Sequence, residues 1–177
     1  SQSTNYYSVS ADYFKAMGIP LRRGRVFTPQ DTKDSARVAI INETLSTKIF
    51  PDEDPIGKRI TFDDRARNPE WFEIVGIVGD VKQYALDQPM TMQTYESYTQ
   101  QTFPYMTLVV RTTGDPAALG AVIRSEILKL DKEQPATNIK TLNEFFSTSI
   151  ARQRFSVVLL GVFAAVALVL AAVGIYG

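Results

Sequence analysis

The chain has 177 residues, with 19 Lys and Arg balanced by 19 Asp and Glu, and neither Cys nor His. Zero net charge with interleaved signs leaves no electrostatic footprint for nucleic acid, and the missing Cys excludes disulfides, thiolate metal sites and a Cys nucleophile. Without His, a Ser-His-Asp triad, an HExxH zinc site and imidazole acid–base catalysis are excluded too.

In chain order, the first predicted element is a short strand at 6–9. Ser10 is placed to cap a helix at 11–17, where Asp12 suits the positive N-terminal end, Tyr13, Phe14 and Met17 form an apolar side, and Gly18 stops it. Arg22, Arg23, Gly24 and Arg25 read as a basic turn. Three arginines in four positions admit a phosphate site, but an ion-paired or solvated turn is the stronger reading.

The apolar run 38–41 suits a buried strand, and Asn42 is placed to cap a helix at 43–50 with Leu45, Ile49 and Phe50 inward. Pro51 ends that helix. The loop from Asp52 to Lys58 then reverses into a strand at 59–62; its acidic triplet lacks the spaced ligands and distal Glu of a calcium loop, so it reads as a solvent-facing turn. Residues 71–78 form the strongest strand, expected centrally in a sheet, with Gly76 and Gly79 marking bends or close backbone approach. Residues 84–103 read as a long polar connection holding one short strand at 93–96.

A further strand is predicted at 107–112. Asp115 then caps a helix with Pro116 at its first position, where the missing amide hydrogen costs nothing. Leu119, Ile123, Ile127 and Leu130 repeat at helical spacing, despite a cost of about 1 kcal/mol for Gly120 relative to Ala. Ile139 is assigned to a second short strand, which completes a βαβ unit. Thr141, Leu142, Asn143 and Glu144 form a capping box, and no Pro or Gly intervenes before Gly161. A helix opening at Leu142 is thus expected to run unbroken through Arg152 and Arg154 into the last segment.

That segment, 155–177, carries no charged side chain. As a helix it is ~35 Å long, enough to cross a ~30 Å hydrocarbon core, and its place in the chain excludes a signal peptide. It is expected to be a transmembrane helix bounded by Arg152, Arg154 and Phe155 at one end and Tyr176 at the other. Gly161 with Ala165, and Ala167 with Ala171, are small residues four apart that let a neighbouring helix approach. The two arginines, taken alone, suggest a cytoplasmic flank. Ser1 is not an initiator Met and the apolar run has no polar flank after it, so the chain reads as a piece of a larger protein.

Catalytic equipment is sparse. Asp52 stands where a phosphate loop ending in Gly57 and Lys58 needs its first glycine, and Gly76 with Gly79 lacks the third glycine of a dinucleotide site. Only paired carboxylates stay open, as Asp63 with Asp64 or Glu70 with Glu73. No catalytic, cofactor or metal residue is assigned on this chain.

The stretches VSADYFKAMGIPLRRGRVFT (9–28), RVAIINETLSTKIFPDEDPIGKRI (37–60), FEIVGIVGDVK (72–82), LVVRTTGDPAALGAVIRSEILKLD (108–131) and RQRFSVVLLGVFAAVALVLAAVGIYG (152–177) resemble, in this order, the MacB-like periplasmic core domain followed by an FtsX-like permease. The resemblance implies an α+β fold: a periplasmic core domain over 1–150, with a mainly-β lobe at roughly 21–81 inserted into a membrane-proximal βαβ lobe at roughly 106–140, then a permease helix from 151 to 177. It implies a non-catalytic part of an ABC-type transporter in the bacterial inner membrane, with ATP and magnesium on a separate cytoplasmic ATPase subunit or domain. Its expected partners are the lipid bilayer, that ATPase, a second permease in a homodimer or pair, and a periplasmic adaptor. It also sets Arg152 and Arg154 outside the cytoplasm, against the charge reading. The alternative is a membrane-anchored binding or sensing module that regulates a periplasmic partner.

Overall fold

The computed structural model describes residues 4–62, 67–81, 90–101, 103, 105–131, 138–144, 160, 161, 163, 164, 167 and 170–176. Two compact units divide the chain, Ser1–Arg111 and Thr112–Gly177.

In the first unit the described residues form one six-stranded sheet flanked by two short helices: β1 (Asn5–Val9), α1 (Tyr13–Met17), β2 (Leu21–Gly24), β3 (Val38–Asn42), α2 (Glu43–Ile49), β4 (Arg59–Ile60), β5 (Phe72–Val78) and β6 (Gln93–Ser97). The strand order is β1-β6-β3-β5-β2, and β4 also pairs with β5. β1 runs parallel to β6 and β3 parallel to β5, whereas the β3–β6, β2–β5 and β4–β5 pairs are antiparallel.

Alternation along β3 divides the core. Val38 and Ile40 join Val9, Phe14, Ile19, Phe27, Val78 and Tyr95 on one face, while Ile41 joins Leu45, Ile74 and Ile77 on the other. Helix α1 covers the first face through Phe14, and α2 the second through Leu45. Each fully buried aliphatic or Phe side chain contributes about 1.5–3 kcal/mol. A register shift opposite Ala39 and Ile40 leaves Val75 as an extra residue in β5, so Ile74 and Ile77, three apart, face the same way.

Several expectations are corrected. Ser10 does not cap α1 through its side chain; Asp12 holds the N-cap position without a side-chain bond, and the Ser10 carbonyl accepts from the Tyr13 amide at 3.1 Å. Gly18 does end α1, with φ +71°. Arg22, Arg23 and Gly24 lie in β2 rather than in a turn, because β5 offers them a free edge. Ile49 remains 40 % exposed, since α2 is one residue shorter than expected and only Leu45 reaches the core fully. Residues 107–112 and Ile139 are in no strand, so the βαβ unit expected at 106–140 is not formed among the described residues. Alternating side chains do not make a strand unless a ladder partner is present. A parallel pair whose connection contains a helix does occur, but it is β3 and β5, with α2 and then β4 between them. Strands β2 to β5, which fall within 21–81, share one sheet with β1 and β6.

In the second unit, α3 (Pro116–Leu130) starts with Asp115 Oδ1 accepting from the Ala117 amide at 2.9 Å. Gly120 is its buried residue and faces Ile139, close enough that a Cβ would stand 3.0 Å from the Ile139 methyl. Leu119, Ile123 and Ile127 are half-buried and Leu130 is exposed. Residues 142–144 and all the described residues from 160 to 176 are helical. No described helix is long and apolar enough to cross a membrane. Most of the run from 145 to 169, on which the expected span falls, lies outside the described residues.

Candidate interaction and coupling surface

Four polar side chains pin the loops of the first unit. Asp80, just beyond β5, accepts from Asn42 Nδ2 at 2.6 Å, from the Thr44 amide at 3.0 Å and from the Thr44 hydroxyl at 2.8 Å. Asn42 Oδ1 accepts the amides of Leu45 and Gln93 at 3.0 and 2.9 Å, so one buried carboxamide joins the start of α2 to β6. Gln100 closes the loop before β3: its Oε1 accepts from the Val38 amide at 3.0 Å, and its Nε2 reaches the Thr32 and Ala36 carbonyls at 3.2 and 2.8 Å.

Asp31 is the fourth pin. Arg25 grips it with two bonds of 2.8 and 2.9 Å, and the Thr28 amide and hydroxyl add bonds of 2.7 and 3.1 Å. Burial pushes the Asp31 carboxyl up, but the Arg25 and Thr28 hydrogen bonds outweigh it and hold the group below the usual carboxylate range. All three arginines of the expected turn are ion-paired, Arg22 with Glu43, Arg23 with Asp54 and Arg25 with Asp31.

Against this braced head stands an exposed apolar row. Tyr105, Met106 and Leu108 are 89 %, 82 % and 67 % exposed, with Phe103 and Val110 exposed beside them. Soluble surfaces seldom concentrate large apolar groups in so short a stretch unless something docks there. The row is anchored at its end by Arg111, whose Nε donates to the Ala16 carbonyl at 2.6 Å, the open C-terminal end of α1.

The second unit holds the expected cap residues. The Thr141 amide donates to Glu144 Oε2 at 2.8 Å and the Glu144 amide donates to Thr141 Oγ1 at 3.2 Å, a reciprocal arrangement that satisfies two exposed amides at a helix start. Of the residues assigned to the membrane segment, Gly161, Ala167, Ala171 and Tyr176 are helical and exposed. Arg152, Arg154, Phe155 and Ala165 lie outside the described residues, as do Asp63 and Asp64 of the first carboxylate pair. In the second pair, Glu70 stands 3.6 Å from Arg37. Asp80, Gln100 and Glu96 were not singled out from sequence. For Asp80, the dipeptide Gly79-Asp80 after a strong strand was the available signal; for Gln100 and Glu96 none was, because their partners lie far off in the chain.

The family model of the MacB-like periplasmic core domain matches residues 1–126. The chain is 30 % identical over 154 residues to the macrolide export ATP-binding/permease protein MacB of Mannheimia succiniciproducens, with 86 % of this chain and 21 % of that protein covered. It is 27 % identical, with the same two coverages, to MacB of Aggregatibacter actinomycetemcomitans. The chain thus spans about a fifth of the length of these curated relatives. Among solved structures, the periplasmic region of MacB from Actinobacillus actinomycetemcomitans superposes with a TM-score of 0.54 at 20 % identity, over 72 % of this chain and 57 % of that one. This last likeness bears on the fold, a mixed α/β domain.

Proposed function

Since this chain belongs to the MacB-like periplasmic core domain family, we propose that it is the extracytoplasmic domain of an ABC-type permease together with the opening of an FtsX-like transmembrane helix. In this reading the domain makes and breaks no covalent bonds. ATP and magnesium are handled by a cytoplasmic ATPase subunit or domain, and the work arrives here as movement, driving export or mechanical work outside the inner membrane. Residues 155–177 cross the bilayer, with Arg152 and Arg154 on the extracytoplasmic side and Tyr176 near the far interface. The small pairs Gly161 with Ala165 and Ala167 with Ala171 pack against neighbouring permease helices, in a homodimer or a pair of permeases.

The observation that carries the mechanical part is the reciprocal cap between Thr141 and Glu144, set immediately before a stretch with no helix breaker until Gly161. A capped start resists fraying, so displacement of the bilayer segment is passed on rather than absorbed. The test is insertion of Pro-Gly within 147–149 of the full-length transporter. ATP hydrolysis and the folded head persist while transport is lost; normal transport in that variant would count against the reading. Single cysteines at Thr61 and Thr113, probed in intact cells with an impermeant thiol reagent, test the location, because the chain has no native Cys. Labelling of both is expected, and protection of both contradicts an extracytoplasmic domain.

The exposed side chains of Phe103, Tyr105, Met106, Leu108 and Val110 favour a second reading, a membrane-anchored module that binds a periplasmic partner or adaptor. Under it, Leu108→Ser abolishes partner regulation and leaves ATP-driven transport intact, whereas the first reading predicts no such separation.

A further inference from the structure

Glu96 is a charged-type residue in the middle of a sheet. It lies in β6 between Ser8 of β1 and Ala39 of β3 and is 0 % exposed, and among the described residues the Tyr6 hydroxyl is the side-chain donor turned toward its carboxylate, outside the geometry of a full hydrogen bond. Its neighbours on β6 fit a packed core or its edge: Tyr95 donates to Gln93 Oε1 at 3.0 Å and the Ser97 hydroxyl meets that of Thr99 at 2.6 Å. A buried carboxylate so short of donors is among the most costly groups a core can hold, and it is tolerated as the neutral acid or in exchange for a nearby cation.

Both options are present. From β1, Tyr6 faces Glu96, and its ring is held by Phe62 at 4.6 Å, itself 4.7 Å from Phe72. From the residue before β3 comes the Arg37 guanidinium, and from the approach to β5 the Glu70 carboxylate. Arg37 is already divided, with Nη2 3.6 Å from Glu70 and Nη1 donating to the Gln100 carbonyl at 2.5 Å. Gln100 in turn closes the loop at 32–38.

We propose that Glu96 is a proton-operated latch: as the neutral acid it leaves Arg37 on Glu70 and the Gln100 carbonyl, and as the carboxylate it draws the guanidinium inward and loosens the 97–101 turn. Burial pushes the Glu96 carboxyl up, while Tyr6 and Arg37 pull it down and Glu70 pushes it up again, with a net rise. A carboxyl whose folded-state value is raised contributes stability that is fully present below the unfolded value of about 4.3 and is lost as pH rises through the folded value. The head therefore tightens on acidification. This sensing role is independent of how force crosses the membrane.

The experiment is a pH titration of the full 177-residue chain in detergent, read by carboxyl-carbon NMR of Glu96 and by the emission of Trp71, the sole tryptophan, which follows Glu70 directly. Glu96 is expected to titrate above the ordinary carboxylate range, and Trp71 emission to change with the same midpoint. Glu96→Gln abolishes the emission change. Arg37→Gln moves the midpoint up and Glu70→Gln moves it down, as the charges require. A Glu96 carboxyl that titrates in the ordinary range, an emission change that survives in Glu96→Gln, or a midpoint that neither neighbour moves would overturn the proposal. If Glu96→Gln does not fold, the NMR midpoints of the native chain and the two neighbour variants decide alone.

Discussion

Asn42 and Asp80 stand 38 positions apart in the chain and 2.6 Å apart across their side chains. Through that bond the strand that precedes α2 and the segment that follows β5 share one polar joint, to which Thr44 adds two more donors. Replacing Asp80 with Ala removes three bonds to a charged acceptor and leaves the largely buried Asn42 amide short of a partner. Chemical denaturation is expected to show a loss of about 2–4 kcal/mol, at the upper end of hydrogen-bond effects because the acceptor is ionised. A loss under half a kcal/mol would mean that water replaces the carboxylate freely.

The crossing of β2 and β5 depends on two glycines. Gly24 has φ +73°, and a Cβ there would collide with the Val75 carbonyl; a Cβ on Gly76 would collide with the Arg25 carbonyl. Gly76→Ala is expected to cost about 2–4 kcal/mol, from backbone displacement rather than lost burial. Gly57→Ala is the control for crowding: it also has positive φ but nothing within 4 Å, so only the conformational penalty of about 1 kcal/mol remains. Comparing the two midpoints separates strain from collision.

Acid should expose the Arg25–Asp31 pair. The Asp31 carboxyl is depressed in the fold, so its contribution is present above the unfolded value of about 3.9 and fades as pH falls through the lower folded value. Thermal melts between pH 5 and pH 2 are expected to show a falling Tm in the native chain and a flatter profile in Asp31→Asn, which starts lower. An unchanged slope in the variant would assign the acid limb to other carboxylates.

At the helix start in the second unit, Thr141→Ala removes the acceptor for the Glu144 amide. The expected penalty is about 1 kcal/mol, felt locally. Hydrogen exchange at Glu144 is predicted to accelerate several-fold while exchange in β3 and β5 stays unchanged, since those strands belong to the other unit. Equal acceleration in both would show that the two units unfold together.

Much of the head was legible from local pattern. The apolar run from Val38, the capping geometry of Asn42, the stop at Gly18 and the strand through Ile74 and Ile77 depend on residues within a turn or two of one another, and such preferences act before any tertiary contact forms. The same logic misled at 107–112, where alternation imitates a strand but none of the described residues pairs with it, and at Arg22 and Arg23, where composition suggested a turn and the edge of β5 supplied a strand. Asp80, Gln100 and Glu96 owe their importance to neighbours 36 to 88 positions away, and no local pattern records that.

The amino-acid order by itself determined the element types of the head, the absence of thiol and imidazole chemistry, and the uncharged C-terminal run, because each follows from residue identity and short-range periodicity. Only the tertiary structure decided which strands are neighbours, that β3 and β5 run parallel, and that a glutamate is sealed between β1 and β3. Pairing partners, desolvation and charge proximity are properties of positions in space, and they come into being only when distant parts of the chain meet.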